Sequence, residues 1–353
     1  MSEMSDISGA TITIESAGLL STLQDRGRFG LRHLGVPWSG SLVPAWQQLA
    51  NALVGNSPDD CILESFEGGL RLSTGDSAVR MAVMAAPDMK MLQRHGDSQS
   101  TIQPCRSYTL APETTIILHS TGSFRHVVMA FSGLITSEQL GSASTYVKAG
   151  LGGLHGNALT AGDQLTVSVA TPRLESECRD PLLEDYRSSR LRVVPGPQND
   201  HFSADGIKTF LNSEFQLSSE VDRMGARLTG PALEHASTAA RDIVSDAIVP
   251  GSIQVPGNGQ PIVLLNDAHT AGGYPKIATV ISIDLPLLGL QRPGSALHFE
   301  AVTVSAAIDA VRSQAATLQK AIDSIAPIRD VSLDTATLLA HNLIDGVTDG
   351  LSL

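Results

Sequence analysis

The chain has 353 residues, 42% of them hydrophobic, 17% charged and 4% aromatic, which is enough for two domains and a sizeable core. It carries 24 basic against 36 acidic side chains, a net charge of −12, and its only lysines are Lys90, Lys148, Lys208, Lys276 and Lys320. No basic stripe is therefore present for nucleic acid or for an anionic membrane surface.

In chain order, β-branched or alternating runs at Ile12–Glu15, Val79–Met84, Thr114–His119, His126–Phe131 and Leu165–Val169 are bounded by turn residues and predict strands. Between the first two lies one clear helix. Ser41 is placed to cap it, Pro44 sits in its first turn, and Trp46, Leu49, Ala50 and Leu53 form a stripe that Gly55 stops. Such a stripe predicts a helix plugging or flanking a barrel. The polar stretch Pro172–Arg190 reads as a connector between two halves. The second half repeats the strand pattern at Arg192–Val194, Ile262–Leu265, Ile277–Ile283 and Ala296–Val302, and short strands so spaced predict barrels or sandwiches rather than a βαβ sheet. Ile308, Val311, Leu318, Ile322 and Ile325 then recur at near-helical spacing, and a second helical run is predicted over Thr335–Ile344, after Asp334. The halves also share a G-x-R-x-x-G segment, Gly30–Gly35 after Asp25-Arg26 and Gly225–Gly230 after Asp222-Arg223, which suggests a duplicated fold.

Several machines are absent. There is no P-loop and no G-x-S-x-G elbow. Gly150-Leu-Gly-Gly-Leu-His-Gly156 lacks the frame of a dinucleotide fingerprint and reads as a tight loop. The ten histidines form no H-E-x-x-H and no pair backed by carboxylates, so no metal site is expected. No apolar run approaches the roughly 18 residues of a membrane helix. Met1 to Thr11 hold Glu3 and Asp6 but no basic residue, unlike a secretory signal. Cys61, Cys105 and Cys178 are odd in number and far apart, which fits buried free thiols in a reducing cytoplasm.

The densest polar constellation on apolar strands spans residues 218–284. It holds Asp222-Arg223, Arg227, Ser245-Asp246, Gln254, Asn266-Asp267, His269-Thr270 and Gly272-Gly273-Tyr274-Pro275-Lys276. Polar groups at the end of an apolar strand stand at the rim of a barrel, and paired glycines let the backbone approach a ligand. Tyr274 and Lys276 are two apart, so both are expected on one face. An Asp, a Tyr and a Lys together fit proton transfer, and Arg223 with Arg227 fits a carboxylate or phosphate. An ordinary Gly-rich hairpin with surface ion pairs gives the same residue pattern.

These segments resemble the biotin-dependent carboxyltransferase-like family, also called allophanate hydrolase subunit 2 or the 5-oxoprolinase C subunit, which includes the antagonist of the Kip kinase inhibitor. Further segments match it: Ala17 to Arg28 (AGLLSTLQDRGR), Leu34 to Gly40 (LGVPWSG), Ala50 to Asn56 (ANALVGN), Leu140 to Thr145 (LGSAST), then Gly152-Gly153 and Gly162-Asp163. The resemblance covers about residues 12–305. It implies a mainly β fold of two cyclophilin-like β-barrel domains, 1–175 and 191–305, with a short helical tail over 306–353. It also implies a partner, the B-type subunit or allophanate hydrolase subunit 1, with a third subunit in a 5-oxoprolinase that opens 5-oxoproline to glutamate with ATP.

On this reading Asp267, Tyr274 and Lys276 are catalytic. Asp222, Arg223, Arg227, Gln254, Thr270, Gly272 and Gly273 bind a small amide or lactam, and Asp25, Arg26, Arg32 and Ser39 form a candidate second site. ATP is bound by, or shared with, the partner. Biotin is not expected on this chain, because Lys90 in Asp88-Met-Lys-Met91 lacks the small residue that precedes a biotinyl motif. The alternatives implied are a regulatory protein that sequesters a kinase-inhibitor subunit, and a urea-type carboxyltransferase using carboxybiotin delivered in trans. The chain departs from the family pattern at Ala226, where an aromatic is common, at His269-Thr270-Ala271, where Gln-Thr-Thr is common, and at Met84-Ala-Ala-Pro-Asp88, where a Thr-Gly-Ala-Asp-like segment is usual.

Overall fold

Alternation along the first strand, Gly9–Ala17, buries Ala10, Ile12 and Ile14 on one face and leaves the other partly wet. In this computed structural model, which describes residues 9–171 and 174–328, that strand belongs to a six-stranded sheet. The sheet runs in the order Gln164–Ser168, Gly9–Ala17, Leu70–Thr74, Thr115–Ser120, Lys90–His95, Ser98–Ile102. A seven-stranded sheet runs Leu20–Gln24, Ile62–Phe66, His126–Phe131, Val79–Met84, Arg106–Leu110, Ser176–Glu177, Ala326–Pro327. One core joins them, with Ile12, Leu72, Met91 and Leu118 from the first meeting Leu63, Met81, Val83 and Met129 from the second. The first half is thus two facing sheets.

The second half closes into a seven-stranded barrel: Arg190–Pro195, Lys276–Val280, Ser252–Gln254, Ile262–Leu264, Gly225–Thr229, Phe215–Val221 and Ala296–Ala301. Its pairings are antiparallel except the closing one, Arg190–Pro195 beside Ala296–Ala301. Closure leaves no edge strand.

The helix Pro44–Val54 lies where the stripe predicts and ends on Gly55 in the left-handed region (φ 84°). Its start differs from expectation. Ser41 does not cap the helix end; its hydroxyl donates to the buried Glu64 carboxylate at 2.8 Å, and the cap position is Val43. The helix joins the strands Val79–Met84 and His126–Phe131 to the barrel. Trp46, Leu49 and Leu53 share one apolar cluster with Leu191, Phe215, Ile253 and Leu287. That cluster crosses the connector, which is itself packed. Leu182 and Tyr186 are buried, and Asp180 accepts the Trp46 indole N–H at 2.7 Å.

The duplicated segments do not correspond in structure. Gly225–Thr229 is a barrel strand, whereas Arg32–Leu34 is a single 3-10 turn. What repeats is the preceding turn: the Asp25 carboxylate accepts Gly27 N–H at 2.7 Å, and Asp222 accepts Met224 N–H at 2.7 Å. The C-terminal helix spans Val304–Asp323 and buries Leu318 and Ala321. The predicted helix Thr335–Ile344 lies outside the described residues.

Candidate functional site

The outer face of the barrel wall holds a cavity of about 580 Å³, because Gly225, Arg227, Ile262 and Leu264, which line it, alternate with the buried Ala226, Leu228 and Val263 that fill the interior. One wall is the hairpin from Ser219 to Arg227, which brings Asp222 and Arg227. The floor is Gln254, Ile262 and Leu264. The far wall is His269, Gly272, Gly273 and Tyr274. A lip closes one side, where Asp246–Ala247 pairs with Ala271–Gly272. Strand residues facing the barrel interior, such as Ala226, Val263 and Ile253, are apolar, and Arg227 and Gln254, which flank Ile262 in the ladder, stand on the opposite face, so the polar groups reach the cavity from separate strands.

Five of the residues singled out from sequence face this cavity beside Tyr274: Asp222, Arg227, Gln254, Gly272 and Gly273. Gly272 has a physical reason to be glycine, because a Cβ there would drive into the Gln254 amide. Gln254 Nε2 also reaches the Tyr274 carbonyl at 3.4 Å. Tyr274 is 40% exposed, so its hydroxyl is reachable by a ligand. Arg227 is already engaged, its Nε 2.9 Å from Glu220.

The other expected members point elsewhere. Lys276 does not share a face with Tyr274. It is buried, and its Nζ binds Asp246 Oδ2 at 2.5 Å and the Ala247 carbonyl at 2.8 Å, holding the lip from behind. The Lys276 hydrogen bond is the first cause of the lowered Asp246 carboxyl. The turn at Pro275 separates the two side chains, because regular strand alternation begins only at Lys276. Thr270 accepts Ile248 N–H through its carbonyl at 3.1 Å and is not in the cavity lining.

Arg223 and Asp267 form the centre of a buried ion network. Arg223 Nε lies 3.1 Å from Asp267 Oδ2 and its Nη2 3.2 Å from Oδ1. Its Nη1 donates to Glu64 Oε2 at 2.7 Å and its Nη2 to the Gly40 carbonyl at 2.6 Å. Burial would raise the Glu64 carboxyl, but the neighbouring His126 ring, the Arg223 charge and the hydrogen bond from Ser41 outweigh it and hold it low. Burial likewise would lower Arg223, and Asp267 and Glu64 reverse that. These groups tie the barrel to the first half and engage all three guanidinium nitrogens of Arg223.

Sequence reading missed Glu64, which sits in the fully buried strand Ile62–Phe66. The available signal was a carboxylate in an apolar run, since a buried charge requires a partner.

The first-half set does not assemble as a second site. Asp25 is saturated by Gly27 N–H, Ala143 N–H at 2.6 Å and the hydroxyls of Ser142 at 2.6 Å and Ser144. Arg26 is exposed and paired with Asp59 at 3.0 Å. Arg32 crosses to the barrel half, donating to the carbonyls of Ile248 at 2.6 Å and His269 at 2.9 Å. Ser39 holds a left-handed backbone (φ 53°), donates its N–H to the Asn266 carbonyl at 3.0 Å, and buries its hydroxyl without a partner. Arg32 and Ser39 therefore brace the turn at 266–269 from outside the cavity. Met89 and Met91, which flank Lys90, are buried between the two sheets, so that Met-Lys-Met pattern has a packing origin.

Comparison with known proteins agrees with this architecture. The family model described as carboxyltransferase domain, subdomain A and B, matches residues 34–301. The chain is 33% identical over 304 residues to the 5-oxoprolinase C subunit of Escherichia coli, covering 86% of this chain and 95% of that protein. It is 33% identical over 288 residues to the 5-oxoprolinase C subunit of Haemophilus influenzae, covering 81% and 90%. The urea carboxylase of Kluyveromyces lactis shares the fold, with a TM-score of 0.78 at 22% identity over 88% of this chain and 29% of that one. A match that runs from the loop bracing the barrel through its closing strand places this chain in the carboxyltransferase domain family, subdomains A and B.

Proposed function

We propose that this chain is the substrate-holding subunit of an ATP-dependent 5-oxoprolinase complex in the cytoplasm, opening 5-oxoproline to glutamate with a B-type partner and a third subunit. The observation that carries this reading is the cavity on the barrel's outer face, in a chain that aligns with 95% of a relative named as the C subunit of 5-oxoprolinase. A five-membered lactam resists water because amide resonance must be broken. Transfer of a phosphoryl group from ATP to the lactam oxygen, releasing ADP, makes the carbon electrophilic. Water then adds to that carbon, the ring C–N bond breaks as the nitrogen takes a proton, and a second water cleaves the resulting acyl phosphate to glutamate and phosphate. ATP binds the partner or is shared with it.

Within the cavity, Gln254 and the backbone at Gly272-Gly273 orient the lactam amide, and Tyr274 with Asp222 moves protons at the ring nitrogen and the attacking water. Asp267, Arg223 and Lys276 act as positioning residues, through the joint and the lip.

The test is glutamate release from 5-oxoproline and ATP by the chain co-purified with its neighbouring subunits, against the same mixture without it. Release that depends on this chain supports the reading; none from a well-formed complex overturns it.

One observation favours a second reading. The cavity is lined by Glu220 and Asp222, and among the described residues its only lysine or arginine is Arg227, which Glu220 already holds. That balance suits a neutral amide better than an anionic lactam, as in a carboxyltransferase acting on a urea-like substrate with carboxybiotin supplied in trans. Carboxyl transfer that requires a separate biotin carrier distinguishes it.

A further inference from the structure

Cys105 and Cys178 lie far apart in sequence and come together in the fold. Cys105 precedes the strand Arg106–Leu110, and Cys178 follows the two-residue strand Ser176–Glu177. Glu177 stands opposite Arg106 in antiparallel register, so the next step along the ladder sets Cys178 opposite Cys105. The Cys178 N–H donates to the Cys105 carbonyl at 3.0 Å.

Opposed residues in such a pair have Cα atoms about 4.5–5.5 Å apart. A disulfide spans about 4.4–6.8 Å. Both side chains are partly buried against the same apolar cluster. Cys61 belongs to the separate core between the two sheets.

We propose that Cys105 and Cys178 form a dithiol modification site that a low-molecular-weight disulfide oxidises to an intramolecular disulfide, locking the connector onto the seven-stranded sheet. Contact with the Cys178 thiol, and then burial, push the Cys105 thiol up. Cys178 stands between the exposed Glu177 and Arg179 and is the entry thiol. The Cys178 thiolate attacks the small disulfide, whose S–S bond breaks. A mixed disulfide forms and one small thiol leaves. Cys105 loses its proton and attacks the Cys178 sulfur, expelling the second small thiol. Two electrons and two protons pass from the cysteines to the small disulfide, which ends as two thiols.

The place of the bond gives it consequence. The strand Ser176–Glu177 is bordered on its other side by Ala326–Pro327, which follows the C-terminal helix. Two residues past Cys178, Asp180 holds the Trp46 indole. One bond would therefore fix the connector and the end of that helix to the first half together.

The test equilibrates the full, reduced chain in glutathione buffers of rising oxidised-to-reduced ratio, alkylates it, and maps its peptides. The expected result is loss of two alkylatable thiols, a mass decrease of about 2 Da, and a Cys105–Cys178 cross-linked peptide with Cys61 still alkylated. Protease cleavage within 174–190 slows several-fold in the oxidised form. Cys105→Ser is expected to stop at a single glutathione adduct on Cys178, and Cys61→Ser to form the cross-link unchanged. Three free thiols at the most oxidising ratio, or glutathione adducts in the wild-type chain that never resolve, overturn the proposal.

Discussion

Arg223 of the barrel donates to Glu64 of the first half at 2.7 Å, with both side chains buried. A second carboxylate, Asp267, faces the same guanidinium from the barrel's own turn. The triad is a buried charged rivet in an interface that the Arg32 hydrogen bonds and the Arg292–Glu67 ion pair also cross. Removing one partner leaves an uncompensated buried charge, which typically costs about 3–5 kcal/mol.

Arg223→Met is accordingly expected to lower stability, measured by urea unfolding, by about 3–5 kcal/mol. Asp267→Asn should be milder, because Glu64 still neutralises the guanidinium. If Asp267→Asn abolishes turnover with the urea midpoint unchanged, Asp267 acts on substrate and its positioning role is wrong.

The same triad sets a pH dependence. Glu64 is held below its ordinary range in the folded protein, so the unfolded chain binds its proton first as pH falls. Its stabilisation is present above the unfolded value of roughly 4.3 and is lost as pH drops through the lower folded value. Thermal midpoints between neutral pH and pH 3 should fall more steeply for the wild type than for Glu64→Gln. Parallel curves would contradict this.

Lys276→Met frees the lip. Nζ no longer holds Asp246 and the Ala247 carbonyl, so amide exchange at 246–248 and 271–272 should accelerate. Substrate KM should rise more than kcat falls. Lys276→Arg is expected to restore much of the protection. A large kcat loss with unaltered exchange would make Lys276 a catalytic residue instead.

Tyr274→Phe removes one exposed hydroxyl and no core packing. Its thermal midpoint should be unchanged while kcat drops by roughly 10²-fold or more, the usual size of a general acid–base contribution. Full activity in this variant would remove Tyr274 from proton transfer.

Gly272→Ala puts a methyl into the Gln254 amide, the far end of a flexible side chain. The side chain gives way, so stability should change by less than about 1 kcal/mol. Ligand binding should weaken nonetheless, because Gln254 is displaced. Adding Gln254→Ala to Gly272→Ala should then cost little more, and a fully additive double variant would show that the two residues act separately.

Much of the fold was legible because period and punctuation are local. Val79–Met84 and His126–Phe131 appear with the bounds their apolar runs predict, and Gly55 ends the helix that the Trp46 stripe begins. Strands of mixed polarity, such as Lys90–His95 and Ser98–Ile102, carried no such run and were not predicted. At the site, the glycines and Tyr274 were readable as a loop built for close approach. The partners of Arg223 were not, since Glu64 is remote in sequence and its pairing depends on how two halves dock.

The sequence alone determined the β-rich class, the family and the stretch of chain that lines the cavity, because these follow from apolar periodicity and from residue order within short motifs. Only the tertiary structure decided that Asp267, Arg223 and Lys276 hold the frame while Asp222, Gln254 and Tyr274 face the cavity. The reason is electrostatic. A charged side chain taken out of water must find its counter-charge, and the counter-charges of Arg223 and Lys276 come from strands and turns that only folding brings beside them.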